Sequence, residues 1–232
     1  VYNSGGATQI TSGLVYRHET LSGPLSVHTL EVDLEQVELK PALRSGSSNE
    51  PTSQMGEDNG ALAAVNGGFF DSNGPLGLVE IDDSVEAYPV SWRPARSAFG
   101  LEADDTPVIE RVDSDMNTVS GYDWGAAVQG LGGGPMLVKD GQLHVTDTEE
   151  ELTGIAGDNP RTALGIKADG TVFMAVVDGR QPELSAGMDL DELAQYMIDK
   201  GCVKAFNLDG GGSSTMWVSG SGVVNSPSDG SE

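Results

Sequence analysis

The sequence predicts an α+β fold: a single strand-rich domain with a mixed or antiparallel sheet, hairpins and a few packed helices. Three observations carry this. Asp-Gly dipeptides sit twice between apolar runs, the strongest short-range hairpin signal. One clear stretch repeats its apolar residues at helical spacing. And 232 residues, with no internal repeat and no Pro/Ser-rich linker, suit one core of ordinary size.

The elements follow in order. Residues 1–12 are small and polar and read as a loose lead-in to a domain spanning 13–232. From 15 to 43 the pattern alternates, with Val27, Thr29, Glu31 and Asp33 interleaving with His28, Leu30, Val32 and Leu34. That is a period of two, hence strands, with Gly23-Pro24 as a turn. A loop is expected over 45–49 and a short helix over 51–59, closed by Gly60. The apolar run 61–65 fits a buried strand ending at Asn66-Gly67-Gly68. Met136–Lys139 and 142–145 flank Asp140-Gly141, and 162–168 and 171–177 flank Asp169-Gly170. Two further hairpins are expected around Asp82-Asp83 and Asp104-Asp105. Leu190, Leu193, Ala194, Met197 and Ile198 mark the clear helix, with Asp189 and Glu192 spaced for a capping box and Gly201 placed to end it. Strands are expected again at 202–208 and 215–219.

Charge and composition exclude several functions. Twelve Lys and Arg against 36 Asp and Glu leave a net charge of −24, which excludes a general nucleic-acid binder and argues against anionic lipid. Only 21% of residues are charged, so the imbalance comes as much from missing cations as from added acids. One cysteine, Cys202, excludes an internal disulfide, and His18, His28 and His144 are too scattered for a local zinc motif. No apolar run approaches the ~18 residues of a membrane span. The chain starts at Val1 without a signal peptide and reads as processed or trimmed.

Four segments could carry chemistry. Asn66-Gly67-Gly68-Phe69-Phe70-Asp71 would place polar groups at the end of a buried strand, although alone it reads more readily as a glycine turn. Arg161-Thr162 opens a hairpin whose far strand ends in Asp178-Gly179-Arg180. Antiparallel register brings both guanidiniums beside one carboxylate, suited to phosphate or to a plain surface ion pair. Asn207-Leu208-Asp209-Gly210-Gly211-Gly212-Ser213-Ser214 delivers a carboxylate to a glycine triplet. Its amides could form an anion nest, and neither a Walker loop nor a Gly-x-Ser-x-Gly elbow fits. The alternative is a flexible loop, which a carboxylate ending an apolar strand makes less comfortable. Gly130-Leu131-Gly132-Gly133-Gly134-Pro135 could line the same cleft. The acidic run 147–151 reads as a solvated loop, with calcium as a minor option.

Taken together and in order, these segments resemble the phosphodiester glycosidase family. The matching stretches are AAVNGGFFD (63–71), GGGPMLV (132–138), NPRTALGI (159–166), VVDGR (176–180), GMDLDELAQYM (187–197), AFNLDGGGSSTM (205–216) and NSPSDG (225–230). The resemblance implies hydrolysis of the anomeric C–O bond of a sugar-1-phosphodiester of the N-acetylglucosamine type, releasing free sugar and a phosphomonoester. It also implies a secreted or cell-envelope setting, and a closing Arg-containing strand that this sequence, ending at Glu232, does not include.

The leaving phosphate has a second pKa of about 6, so strong general-acid help is less necessary than stabilisation of its charge. Arg161, Arg180 and the Gly210, Gly211 and Gly212 amides are expected to supply that. Asp209 and Asp178 lead as base or nucleophile, with Asp71 and Glu80 behind them. Asn66 and Asn207 are expected to hold sugar hydroxyls, with Gly67, Gly68, Thr162, Ser213 and Ser214 completing the substrate site. No cofactor is required. A divalent cation, calcium or magnesium, is compatible with Asp209, although no dedicated ligand motif is present. The expected partner is the sugar phosphodiester or phosphorylated glycan itself, with no nucleic acid and no membrane span. The competing reading is a non-catalytic binder of phosphorylated cell-surface glycans. Oligomeric state is not encoded in any motif.

Overall fold

A computed structural model describes residues 3, 4, 6–44 and 49–232. Three layers build the molecule. The middle layer is a nine-stranded sheet in the spatial order Asn3–Ser4, Leu14–Leu21, Leu25–Val32, Val172–Val177, Arg161–Lys167, Cys202–Asn207, Met136–Lys139 and Gln142–Leu143. Thr8–Thr11 also pairs with Leu14–Leu21. On one face lies a five-stranded sheet ordered Pro107–Val112, Arg96–Glu102, Ala127–Gly132, Val79–Ile81 and Ser84–Ala87. The helix α2 (Leu190–Asp199) covers the other face. A three-stranded sheet joins Gly222–Val223, Met216–Val218 and Ala63–Val65, and the short helix α1 (Thr52–Asp58) packs against it. Every strand pairing among the described residues is antiparallel, which settles the choice between mixed and antiparallel sheets.

The period of two explains the core. Along Val172–Val177, Val172, Met174 and Val176 pack toward Phe99, Leu101 and Ile109 of the five-stranded sheet. Phe173, Ala175 and Val177 face the other way, toward Leu193, Ala194 and Met197 of α2. A central strand buried on both faces must read as an unbroken apolar run, as this one does.

The expected turns are present. Asp140 and Gly141 both take positive φ (+51° and +72°), as do Asp82 and Asp83 (+50° and +64°), the geometry that matches strand twist in a two-residue hairpin. The α2 capping box forms as the spacing requires: Asp189 accepts from the Glu192 N–H at 2.8 Å, and Glu192 accepts from the Asp189 N–H at 3.1 Å.

Several expectations change. Within the stretch read as a loose lead-in, Asn3–Ser4 and Thr8–Thr11 are strands at the edge of the large sheet. Backbone pairing with Leu14–Leu21 places both, and Ile10 also packs against the core. Residues 45–48 of the expected loop lie outside the described residues. The second strand at Asp140-Gly141 covers only Gln142–Leu143. The acidic run 147–151 is not wholly solvated, because Glu150 is fully buried. Its carboxylate accepts from the Ser97 N–H (2.8 Å), the Ser97 hydroxyl (2.7 Å), the Met136 N–H (2.9 Å) and the Thr146 hydroxyl (2.6 Å). Ser97 and Met136 belong to different sheets, so this buried acid bridges them, and its four donors offset the cost of desolvation.

Candidate active site

Strand ends deliver three loops to one place. Residues 66–70 follow Ala63–Val65, residues 132–134 leave Ala127–Gly132, and residues 209–215 follow Cys202–Asn207. They are fastened backbone to backbone: the Asp209 N–H donates to the Gly67 carbonyl (3.1 Å), and the Gly134 N–H to the Asn207 carbonyl (2.7 Å). Gly68 is obligatory here, since a Cβ would lie 1.9 Å from the Gly132 carbonyl oxygen. The loops wall a cleft of about 730 Å³, a volume suited to a small ligand.

Asp209 stands on this cleft with Ser213, and Asn66, Gly67, Gly68 and Gly212 also line it. The Asp209 carboxylate accepts the Gly210 N–H at 2.9 Å and the Ser213 hydroxyl. Burial nevertheless raises its pKa above the usual aspartate value, those two hydrogen bonds only partly offsetting the desolvation. The site thus holds a half-buried carboxylate whose proton is retained more readily than in water.

The other residues singled out from the sequence have different surroundings. Asn66 is a joint: its side-chain oxygen accepts from the Thr162 hydroxyl (2.6 Å) and the Thr215 N–H (3.1 Å), and its amide donates to the Asp209 carbonyl (2.9 Å). Those bonds fix Asp209 but leave Asn66 and Thr162 engaged within the fold. Asn207 is buried and donates to the Gly134 carbonyl (3.0 Å). Its side-chain oxygen and the Ser214 hydroxyl are buried without a protein partner among the described residues. Gly210 donates to Asp209 and Gly211 to the Pro160 carbonyl (2.9 Å), so two of the three amides expected to form a nest are already committed.

Arg161 and Arg180 do lie at one end of the hairpin, because Arg161 pairs with Val177. Neither lines the cleft of about 730 Å³, and their guanidiniums have different surroundings. The Arg161 guanidinium is buried and donates to the carbonyls of Met188 (2.9 Å), Ile155 (2.8 Å) and Gly157 (2.6 Å). Burial, with Arg180 nearby, pulls its pKa down to about 10 against the opposing pull of Asp189 and Asp158. Arg180 is exposed, donates to the Asn159 side chain at 2.9 Å, and lies against Gly211. Asp71 is exposed at the end of the short strand Phe70–Asp71 and accepts from the Asn73 N–H (2.7 Å); Glu80 is buried, and desolvation raises its pKa against the opposing hydrogen bond from the Trp124 indole N–H (3.0 Å).

Asp178 is buried and its carboxylate is saturated. One oxygen accepts from the Ser226 N–H (2.8 Å) and the Asn225 amide (3.1 Å), and the other from the Ser26 hydroxyl (2.8 Å), with His28 at 3.4 Å. Burial acts to raise its pKa, but the hydrogen bonds from His28, Ser226 and Ser26 outweigh it and hold it below the ordinary value. His18 and His28, remote from any motif, sit opposite each other on one hairpin and stack at 4.3 Å.

Among the cleft residues not singled out are Arg44 and Asp229. No sequence signal marks Arg44, whereas for Asp229 a signal existed in the PSDG stretch. The carboxylates that approach one another elsewhere, Asp158, Asp189 and Glu192, lie outside the cleft, and the latter two already form the α2 capping box.

A family model described as phosphodiester glycosidase matches residues 59–232. The SPbeta prophage-derived uncharacterized protein YomE of Bacillus subtilis (strain 168) is 31% identical over 196 residues, covering 81% of this chain and 29% of its own length. Human N-acetylglucosamine-1-phosphodiester alpha-N-acetylglucosaminidase is 28% identical over 179 residues, covering 72% of this chain and 33% of its own. This chain therefore spans about a third of the length of the curated relatives it matches. Among solved structures, the zebrafish N-acetylglucosamine-1-phosphodiester alpha-N-acetylglucosaminidase catalytic domain, auto-inhibited by pro-peptide, aligns with a TM-score of 0.72 at 23% identity, covering 98% of this chain and 81% of that one. A hypothetical protein from Synechocystis aligns with a TM-score of 0.73 at 17% identity, covering 96% of this chain and 61% of that one. These two likenesses establish the fold.

Proposed function

The chain belongs to the phosphodiester glycosidase family, and on that footing we propose that it hydrolyses the anomeric C–O bond of a sugar-1-phosphodiester of the N-acetylglucosamine type. The observation that carries this reading is Asp209: a half-buried carboxylate with a raised pKa, fixed by Asn66 and Gly67, on a cleft large enough for a sugar phosphate. Water attacks C1, its oxygen forming the new bond as the C1–O bond breaks. The electron pair of that bond leaves on the phosphate oxygen, giving a phosphomonoester and free sugar. A carboxylate takes the water proton. Burial, which favours the protonated form of Asp209, suits it to pass a proton to the departing phosphate oxygen, which solvent then restores. Arg44 on the cleft wall and Arg180 against Gly211 are the cations that support recognition of an anion. A secreted or cell-envelope setting, where such glycans occur, belongs to the same proposal.

The test is a product assay. Incubation with UDP-N-acetylglucosamine and with an alkyl N-acetylglucosamine-1-phosphodiester should release free N-acetylglucosamine. Binding of either compound without release of sugar would instead support a non-catalytic glycan binder.

A further inference from the structure

Glycoside hydrolysis uses two carboxylates, and Asp209 is one. The second is not among Asp178, Asp71 and Glu80, which are respectively buried and saturated, exposed at the end of the strand Phe70–Asp71, and buried against Trp124. None of the three lines the cleft. Asp229 does, and it reaches the cleft from a different part of the chain. It sits directly on the glycine loop: a Cβ at Gly212 would lie 2.2 Å from one Asp229 carboxylate oxygen and 2.5 Å from its carboxyl carbon. The missing side chain of Gly212 is what admits this carboxylate, three residues along the loop from Asp209. Among the described residues its hydrogen bonding is light, from the Ser228 hydroxyl at 3.2 Å. Glu232, also on the cleft, is taken up by the Ser53 N–H at 2.8 Å and the Ser53 hydroxyl.

The strap that carries Asp229 is held firmly upstream. The Asn225 side chain accepts from the Met216 N–H (2.8 Å) and donates to the Ser214 carbonyl (2.9 Å). Ser226 exchanges hydrogen bonds with Gln181 at 2.7 and 2.9 Å. Asp178 accepts from both Asn225 and Ser226 with one oxygen. A buried carboxylate that holds two consecutive residues of a surface strap makes sense as an anchor for the stretch leading to Asp229.

We propose that Asp229 is the second catalytic carboxylate of the cleft, taking the proton of the attacking water, and that Asp178 is the residue that positions it through Asn225 and Ser226. This rests on the proposed glycosidase activity. The water O–H bond breaks toward an Asp229 oxygen as the water oxygen bonds to C1. The C1–O pair leaves on phosphate, where Asp209 meets it. The exposure of Asp229 lets its acquired proton pass to solvent between turnovers.

The experiment uses the whole chain with an N-acetylglucosamine-1-phosphodiester. Asp229 is exposed, so Asp229→Ala should fold normally, with circular dichroism and Tm as the check. Its kcat should fall by about 10²-fold or more with KM changed less than about threefold. Added sodium formate, a small carboxylate able to occupy the space left over Gly212, should restore at least about tenfold of that loss. Asp178→Asn should lower kcat by a smaller factor, again without a matching rise in KM, and formate should not rescue it. An unchanged kcat, a rise in KM alone, or a loss in Asp229→Ala that formate does not restore overturns the assignment. If the unmodified chain itself releases no sugar, it is the glycosidase reading that fails; if it does and Asp229→Ala matches it, only the role of Asp229 falls.

Discussion

Asp209, the proposed catalytic carboxylate, carries a stability cost when it ionises. Burial raises its pKa from the ordinary 3.8, so the folded state holds this proton more tightly than the unfolded chain does. Above the folded pKa the ionised form therefore costs stability, and below the unfolded value of about 3.8 that cost is gone. Asp209→Asn is expected to raise Tm at pH 7 and leave it unchanged at pH 3, while turnover falls by about 10²–10⁴-fold. A lower Tm at pH 7, or near-normal turnover in the folded variant, contradicts this. Asn66 makes the complementary point. Its type suggested a hand on the substrate, but its hydrogen bonds hold the backbone of Asp209 and reach Thr162 and Thr215 as well.

At the scale of elements, the molecule uses local signals where it can. The α2 capping box is written in Asp189 and Glu192, and each accepts the other's backbone N–H. Asp189→Ala is expected to lower the free energy of unfolding by about 0.5–2 kcal/mol, measured by urea titration, with no change in the m-value. The strap over 225–230 has no such signature. It is neither helix nor strand and takes its place from Asp178, Gln181, Ser214 and Met216, residues delivered by other parts of the fold. The glycine loop before it was legible as a candidate site because a carboxylate ended an apolar strand. That its first two amides were committed elsewhere was not, since their acceptors are the Asp209 side chain and the Pro160 carbonyl.

For the whole molecule, the net charge of −24 sets the terms of encounter with the proposed anionic substrate. At low salt the surface repels it, and about 0.15 M salt screens that repulsion beyond roughly 8 Å. Activity on a sugar phosphodiester is therefore expected to rise with salt from the low end, through a lower KM; a steady fall of kcat/KM from the lowest salt upward contradicts this. The sequence alone determined the strand-rich class, the Asp-marked hairpins, the helix with its cap, and the glycine loop bearing Asp209. These are legible because they depend on residues two to four apart: alternation, turn dipeptides and capping pairs act within that range. Only the tertiary structure decided which polar groups reach the cleft. Arg161, Asp178 and Glu150 carry the same charges as Arg180, Asp229 and Glu151, yet the first three are buried braces and the last three are exposed. A polar side chain becomes a brace or stays exposed according to which distant backbone and side-chain groups the fold brings to it. Those partners lie up to 152 residues away, at Ser26 for Asp178, where no local pattern can report them.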